Sequence, residues 1–391
     1  MGINFFRKTA SAPPERKASV TGRIVAMATG SGRTVWGPRD TVSLTRTGFA
    51  GNPVGFRAVK LIAEAAAAVP LVCQDQSCRY DTHPLIGLIR RPNPGQGQAE
   101  LFEALYGQIL LSGNGYLEAV TLDPGLPREL HVLRSDRMSV VPGDDGWPVA
   151  YEYAVGGRKH RFDMTGHPDP ICHIKSFHPQ DDHYGLSPMQ AAAVALEVHN
   201  SASAWSKALL DNAARPSGAI VYKGSDGQGM LAPEQYERLV FEMESHHQGA
   251  RNAGRPMLLE GGLDWKPMGF SPSDMEFHET KIAAAREIAV AFGVPPMLLG
   301  IPGDATYANY AEANRAFFRL TVLPLATRVS AAVAWWLSGF LGEQIELKPD
   351  LEQVPALAVE RDQLWARIGG ASFLSDAEKR VLLGLPPTAG D

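Results

Sequence analysis

Cysteine is scarce in this chain of 391 residues: Cys73, Cys78 and Cys172 are all it has. So small and odd a set excludes a disulfide framework and predicts a reducing compartment, with assembly in the cytoplasm. Long apolar runs are missing as well. The longest, "AAVAWWLSGFL", has 11 residues, against the roughly 18 a membrane span needs, so a soluble chain with no membrane partner is expected. The opening "MGINFFRKTA" holds no stretch of signal-peptide length, and Phe6 stands where a myristoylation motif has Ser or Thr. Acidic residues are nearly absent from the first 35 positions, where Arg7, Lys8, Arg16, Lys17, Arg23 and Arg33 face only Glu15. With its Ser, Gly and Pro content that segment predicts a mobile basic arm, set against a net charge of −5 for the whole chain. Basic residues are in turn absent from residues 294–310, inside the stretch "FGVPPMLLGIPGDATYANY" from Phe292 to Tyr310, whose only charge is Asp304.

Catalytic signatures are missing too. His160, His167, Cys172, His173, His178 and His183 crowd one region, but none of the recognised zinc spacings occurs, and Cys172 and His173, adjacent on a strand, point to opposite faces. "GLSPM" has Met189 where a nucleophile elbow needs its second glycine, and a capping role already accounts for Ser187. Neither "PGQGQAE" nor "GSDGQGM" completes a phosphate-binding loop. The expectation is a protein without cofactor or bound metal, and not an enzyme.

What is present is a sequence of well-punctuated elements. "VGFRAVKLIAEAAAAV" reads as a helix stopped by Pro70, and "AELFEALYGQILLSG" as a second closed by Gly113. From Tyr116 to Phe177 the period shortens to two in "GYLEAVTL", "RELHVL", "MSVV", "VAYEYAV" and "PICHIKSF", a small antiparallel sheet region. Ser187, Pro188 and Gln190 open the next helix with a capping box, and a strand "GAIVYK" follows. "APEQYERLVFEMESHH" is a one-sided helix, "PMLLEGGLDWKPM" two short strands around Gly261 and Gly262, and "SPSDMEFHETKIAAAREIAVAFG" another helix with Ser273 and Glu276 at capping-box spacing. After the loop at 292–310, helical spacing runs through Tyr307, Tyr310, Phe317, Leu325, Val329, Trp336 and Phe340, with a kink predicted at Pro324.

In that order, "SGNGYLEAV", "YGLSPMQAA", "AREIAVAFGVPPMLLG", "ATYANYAEANRAFFRLTVLP" and the terminal "GLPP" resemble the portal proteins of tailed bacteriophages, over about Val54 to Pro387. One departure is Ala377 before Glu378, where that family tends to have Asn. The resemblance implies an α+β portal fold: a mobile arm (1–50), an α/β wing (51–230), two stem helices (231–248 and 273–293) flanking a β-hairpin clip (249–272), a tunnel loop (294–308), a long kinked wing helix (309–345) and a small helical crown (346–391). It implies a homo-oligomeric ring, usually a dodecamer, at one capsid vertex of a virion or phage-like particle. Double-stranded DNA passes through such a ring without sequence specificity, and large terminase, a head-tail adaptor and the major capsid protein are its partners. Ile301, Asp304, Thr306, Tyr307 and Asn309 would then line the DNA channel, and Arg251, Arg255, Trp265 and Lys266 would meet partners at the clip.

A physical reason for the loop's composition follows. Lysine or arginine on phosphate releases counterions and binds DNA tightly, which stalls a strand that must slide. Three other readings remain beside this one. One is an adaptor or scaffold of a phage-like particle, and the second is a metal-dependent enzyme with its cleft beside Cys172 and His173. The third treats the loop as an ordinary helix connector. The resemblance covers infectious phages and prophage-derived gene transfer particles alike.

Overall fold

The computed structural model describes residues 40–75, 78–121, 127–164, 166, 168–212, 219–222, 234, 237–238, 241, 263–266, 277–303 and 307–384. The first described element lies within the segment expected to be a mobile arm. Thr41–Leu44 is helical (α1), capped by the Asp40 carboxylate on the Ser43 amide, and runs into a π-helical turn at Thr45–Ala50. Leu44 is buried, so residues 41–50, expected in the arm, are helical and packed here. The basic residues of the arm lie outside the described residues.

Pro53–Ala67 (α2) starts with proline in its first turn and with Asn52 accepting from the amides of Val54 and Gly55. Its Ala-rich inner face packs on Gln98–Ser112 (α4), which Gly113 ends in the left-handed conformation at φ +79°. Between them lie Leu71–Gln74 (β1), Arg79–Tyr80 (β2) and Pro84–Arg90 (α3).

The region of alternating residues forms two three-stranded antiparallel sheets. Asn114–Val120 (β3) is central in one, between Glu129–Leu133 (β4) and Ile171–Lys175 (β8). The other joins Met138–Pro142 (β5), Pro148–Val155 (β6) and Arg158–Asp163 (β7). β7 went unread in the sequence because "RKHRFD" has one buried position, Phe162, and five exposed ones. The β4-β3-β8 sheet separates two cores. Leu117, Cys172 and Ile174 face the helices, while Tyr116 and Ile171 join Met138, Tyr151 and Phe162 on the other side. Cys172 and His173 do point to opposite faces, as strand geometry requires.

Two of the quoted motifs meet at this sheet. The amide of Ser176 donates to Gly113 O, and a Cβ on Gly113 would come within 2.3 Å of Gly185 O, so the two glycines let main chains touch. Asn114 locks the contact: its Oδ1 accepts from the Gly185 amide and its Nδ2 donates to Ser112 O. Ser187 and Gln190 form the expected capping box at Pro188–Ala191 (α5), and Ala193–Asn212 (α6) continues after a break at Ala192.

Ala219–Tyr222 (β9) pairs with Leu263–Lys266 (β10), Trp265 opposite Ile220 and Lys266 opposite Ala219. "GAIVYK" therefore partners "LDWK" directly. Of the helix expected over 231–248, the described residues 234, 237–238 and 241 are helical; the strand expected at "PMLLE" and the cap at Ser273 lie outside the described residues. Phe277–Ala291 (α7) packs along α6. The final long helix is continuous but not uniform: Tyr307–Phe317 (α8), a π-helical turn at Phe318–Val322, and Leu323–Leu341 (α9). The amide of Leu323 reaches back to Phe318 O, widening the turn where the ring of Pro324 would meet the preceding carbonyls. Proline is thus absorbed by a π turn. By length and composition the 34 residues from Ala308 to Leu341 could cross a membrane, a point the 11-residue run did not reveal. Ala326, Val329, Ser330, Val333, Ala334, Trp336 and Leu337 are nonetheless buried in the chain's own core, as in a core helix.

The boundary expected at 346 also moves. Glu346–Pro349 (β11) pairs antiparallel with β1, Leu347 opposite Cys73, and Asp350 is buried on the Arg79 guanidinium. These residues pack with the N-terminal strands rather than with the helices that follow. The helical C-terminal part starts at Ala358–Gly369 (α10) and continues in Asp376–Leu382 (α11), whose Ser375–Glu378 capping box forms with Ala377 in place.

Candidate functional site

The loop after α7 is built from two successive closures of the same kind. Gly293, at φ +66°, ends α7; its amide donates to Val290 O and that of Val294 to Ala289 O, the paired bonds of a Schellman cap. After Pro295, a short 3-10 turn at Pro296–Leu299 ends at Gly300, φ +73°. There the Gly300 amide donates to Met297 O and the Ile301 amide to Pro296 O. The prolines preset the turn and the glycines supply its left-handed positions. Val294 and Ile301 point inward, and Ile301 packs on Ala285 and Ala289 of α7.

Two side chains then fasten this ledge. Arg286 Nη2 donates to Pro302 O at 2.6 Å, and Thr321 Oγ1, on the π turn, donates to Gly293 O at 2.6 Å. Neither was singled out from sequence; the only available signal was a cation on an otherwise small-residue helix and a hydroxyl beside a proline kink. Lys and Arg are absent from 294–310, so the loop itself supplies no cation, and the exposed one against it is Arg286 of α7.

The sequence-derived residues divide accordingly. Ile301 is 9% exposed, held inside its own chain rather than facing a channel, because the second closure turns it onto α7. Asp304 and Thr306 lie outside the described residues. Tyr307 opens α8, Asn309 is exposed in its first turn, and Tyr310 is 53% exposed. Arg251 and Arg255 lie outside the described residues. Trp265 and Lys266 stand on β10, away from the loop in sequence.

At the foot of the ledge lies an open groove of about 350 Å³ between α2, α4, the end of α7 and the long helix. Val290 and Leu320 flank it, both largely exposed, with Leu325 and Arg328 in its wall.

The histidine region is a structural network. His173 stacks on Tyr116 with ring centroids 4.3 Å apart. Its Nε2 donates to Asn114 Oδ1 and its Nδ1 accepts from the Tyr151 hydroxyl. That neutral tautomer follows because Asn114 Nδ2 is committed to Ser112 O. Burial, then the nearby Lys175 and His183, push His173 down to about 3. Burial likewise pushes the Cys73 thiol up to about 11 and Cys172 up to about 12, so both stay protonated and neither is a ready nucleophile or metal ligand. Among the described residues, no three His, Cys, Asp or Glu side chains converge as a metal site.

Comparison with known proteins gives a consistent picture. The family model for phage portal protein matches residues 53–384. An uncharacterized protein of Rickettsia bellii is 40% identical over 339 residues, 86% of this chain and 87% of that one. Among solved structures, a chain in the neck of an empty gene transfer agent (GTA) particle is 86% identical, covers 95% of this chain and 100% of its own, and superposes with a TM-score of 0.74. A chain in the neck of a native GTA particle computed with C12 symmetry is 85% identical, with the same coverage and a TM-score of 0.72.

Proposed function

The chain belongs to the phage portal protein family, and we propose that its copies form the ring at the neck of a GTA-type particle through which double-stranded DNA is packaged and released. One observation carries this reading: 86% identity over 95% of the chain to a protein sitting in such a neck. The C12 symmetry of a second, 85% identical neck chain supports a dodecamer. It is a structural component of the particle, not an enzyme.

The division of labour within the chain is our proposal. The sheets with α2, α4 and the long helix make the wing, α7 a stem helix, and β9 and β10 the base of the clip, where Arg251, Arg255, Trp265 and Lys266 meet large terminase and then a head-tail adaptor. A basic tip suits acidic partner surfaces. The major capsid protein surrounds the wing, and α10 with α11 forms the crown. The DNA-facing part of the tunnel loop narrows to Asp304, Thr306, Tyr307 and Asn309, since Ile301 is committed to its own core. Residues 293–303 act as a fixed ledge that carries this tip.

Negative-stain imaging of the purified chain tests the reading. Rings with a central pore about as wide as duplex DNA are expected. A chain that stays monomeric in native mass spectrometry at assembly concentrations overturns it.

A further inference from the structure

A closed ring of identical subunits joins two unlike faces of each copy, so each chain must carry both halves of the contact. One half is the groove at the foot of the ledge. Val290 is 76% exposed and Leu320 69%, an apolar pair beside Leu325. Arg328 stands in the same wall with no ion pair or hydrogen bond among the described residues. Partial enclosure pulls its guanidinium below the ordinary arginine value, the direction expected of a cation short of a counter-charge.

The other half is the tip of the β5–β6 hairpin, "GDDGW". Gly143 and Trp147 close it through the Gly143 amide on Trp147 O at 2.7 Å, and Gly146 takes φ +82°, so the turn is fixed locally. Trp147 is 75% exposed. Asp144 and Asp145 are exposed beside it, and among the described residues neither has a cationic partner; Asp145 accepts only from the Trp147 amide. An exposed indole flanked by two carboxylates is the chemical complement of an apolar groove with one unpaired guanidinium.

Topology places these halves on different layers. The groove is walled by Ile62, Ile109 and Leu110 with the end of α7, on the helix side of the β4-β3-β8 sheet. The hairpin belongs to the β5-β6-β7 sheet, which packs on the other side through Tyr116 and Ile171. A head-to-tail ring contact needs two unlike, separated surfaces on each copy, and these two meet that need.

We propose, building on the portal reading above, that Trp147 of one copy seats in the groove of the next, with Asp144 and Asp145 opposite its Arg328. The partner is a second copy of this chain. Charge reversal in the full-length protein tests this directly, read by native mass spectrometry and negative stain at one protein concentration. Arg328→Glu alone, and Asp144→Lys with Asp145→Lys, should each lower the ring population at least tenfold. Combining all three substitutions should restore it to within about twofold of wild type. Thermal unfolding of each variant, unchanged within a few degrees, establishes that the subunits remain folded. Rings at wild-type yield in either single-sided variant, or no recovery in the combined variant while its subunits stay folded, overturn the contact and leave the portal reading standing. A wild-type chain that forms no rings overturns both.

Discussion

His173 shows how a residue that invites a functional reading is held for structure. It is half-buried between Tyr116 and Tyr151, with both ring nitrogens engaged in the neutral form. Its folded value of about 3 lies below the ordinary 6.5. The unfolded chain therefore binds the proton more readily, and stability rises with pH between those limits. The contribution is present in full above 6.5 and is lost as pH falls toward 3. From pH 7 to pH 5 this side chain should account for about 2 kcal/mol of lost stability, at 1.36 kcal/mol per unit below 6.5. His173→Gln keeps a donor and an acceptor but does not titrate. Its thermal midpoint should be lower than wild type at pH 7, with a visibly shallower fall toward pH 5. Parallel pH profiles for the two proteins would refute the assignment. Asn114 binds this network to the Gly113–Gly185 junction, so the motif "SGNGY" reports a packing requirement at the same place.

Among the elements, the ledge after α7 differs most from its sequence reading. Its prolines and glycines build two consecutive caps, with Arg286 on Pro302 O and Thr321 on Gly293 O as fasteners. Arg286→Ala should release the distal end only. Hydrogen exchange at the amides of Gly300 to Gly303 should quicken by an order of magnitude, while the thermal midpoint stays within about 2 °C, since Arg286 is exposed. Unchanged exchange would show that the two caps hold the ledge unaided. Helix termini were readable because capping is local: Ser187 with Gln190, or Gly113 after α4, sit within four residues of what they satisfy. The β11–β1 pairing was not, since Leu347 and Cys73 are partners separated by most of the sequence. The inward turn of Ile301 was equally hidden, depending on a backbone reversal at Gly300 and on the small side chains of Ala285 and Ala289. The groove at Arg328 is likewise assembled from four separated helices.

At the scale of the whole ring, repetition multiplies whatever the tip carries. The segment from 294 to 310 has one charge, Asp304, and no cation, so on the proposed reading each copy would offer DNA a weak repulsion and a few uncharged polar groups. Replacing Asp304 and Ala305 by lysine would, in a twelve-fold ring, introduce roughly two dozen cations around the duplex. Six to ten phosphate contacts already make binding change by about 10³ to 10⁵ over a modest salt range. Even partial engagement should turn a sliding surface into a brake. Rings should form normally, since neither substituted position belongs to the groove or to the hairpin. Nuclease-protected DNA per particle should fall on the order of tenfold, and isolated variant rings should retain short duplex DNA that elevated salt releases. Asp304→Ala separates charge from shape: it removes a repulsion without adding an attraction, and should leave the yield within about twofold of wild type. A loss as large as that of the lysine pair would assign the effect to the tip's structure, and full packaging by the lysine variant would remove loop charge from the mechanism. The absence of lysine and arginine here thus becomes a quantitative claim about DNA mobility, because friction in the pore grows with every phosphate a subunit neutralises.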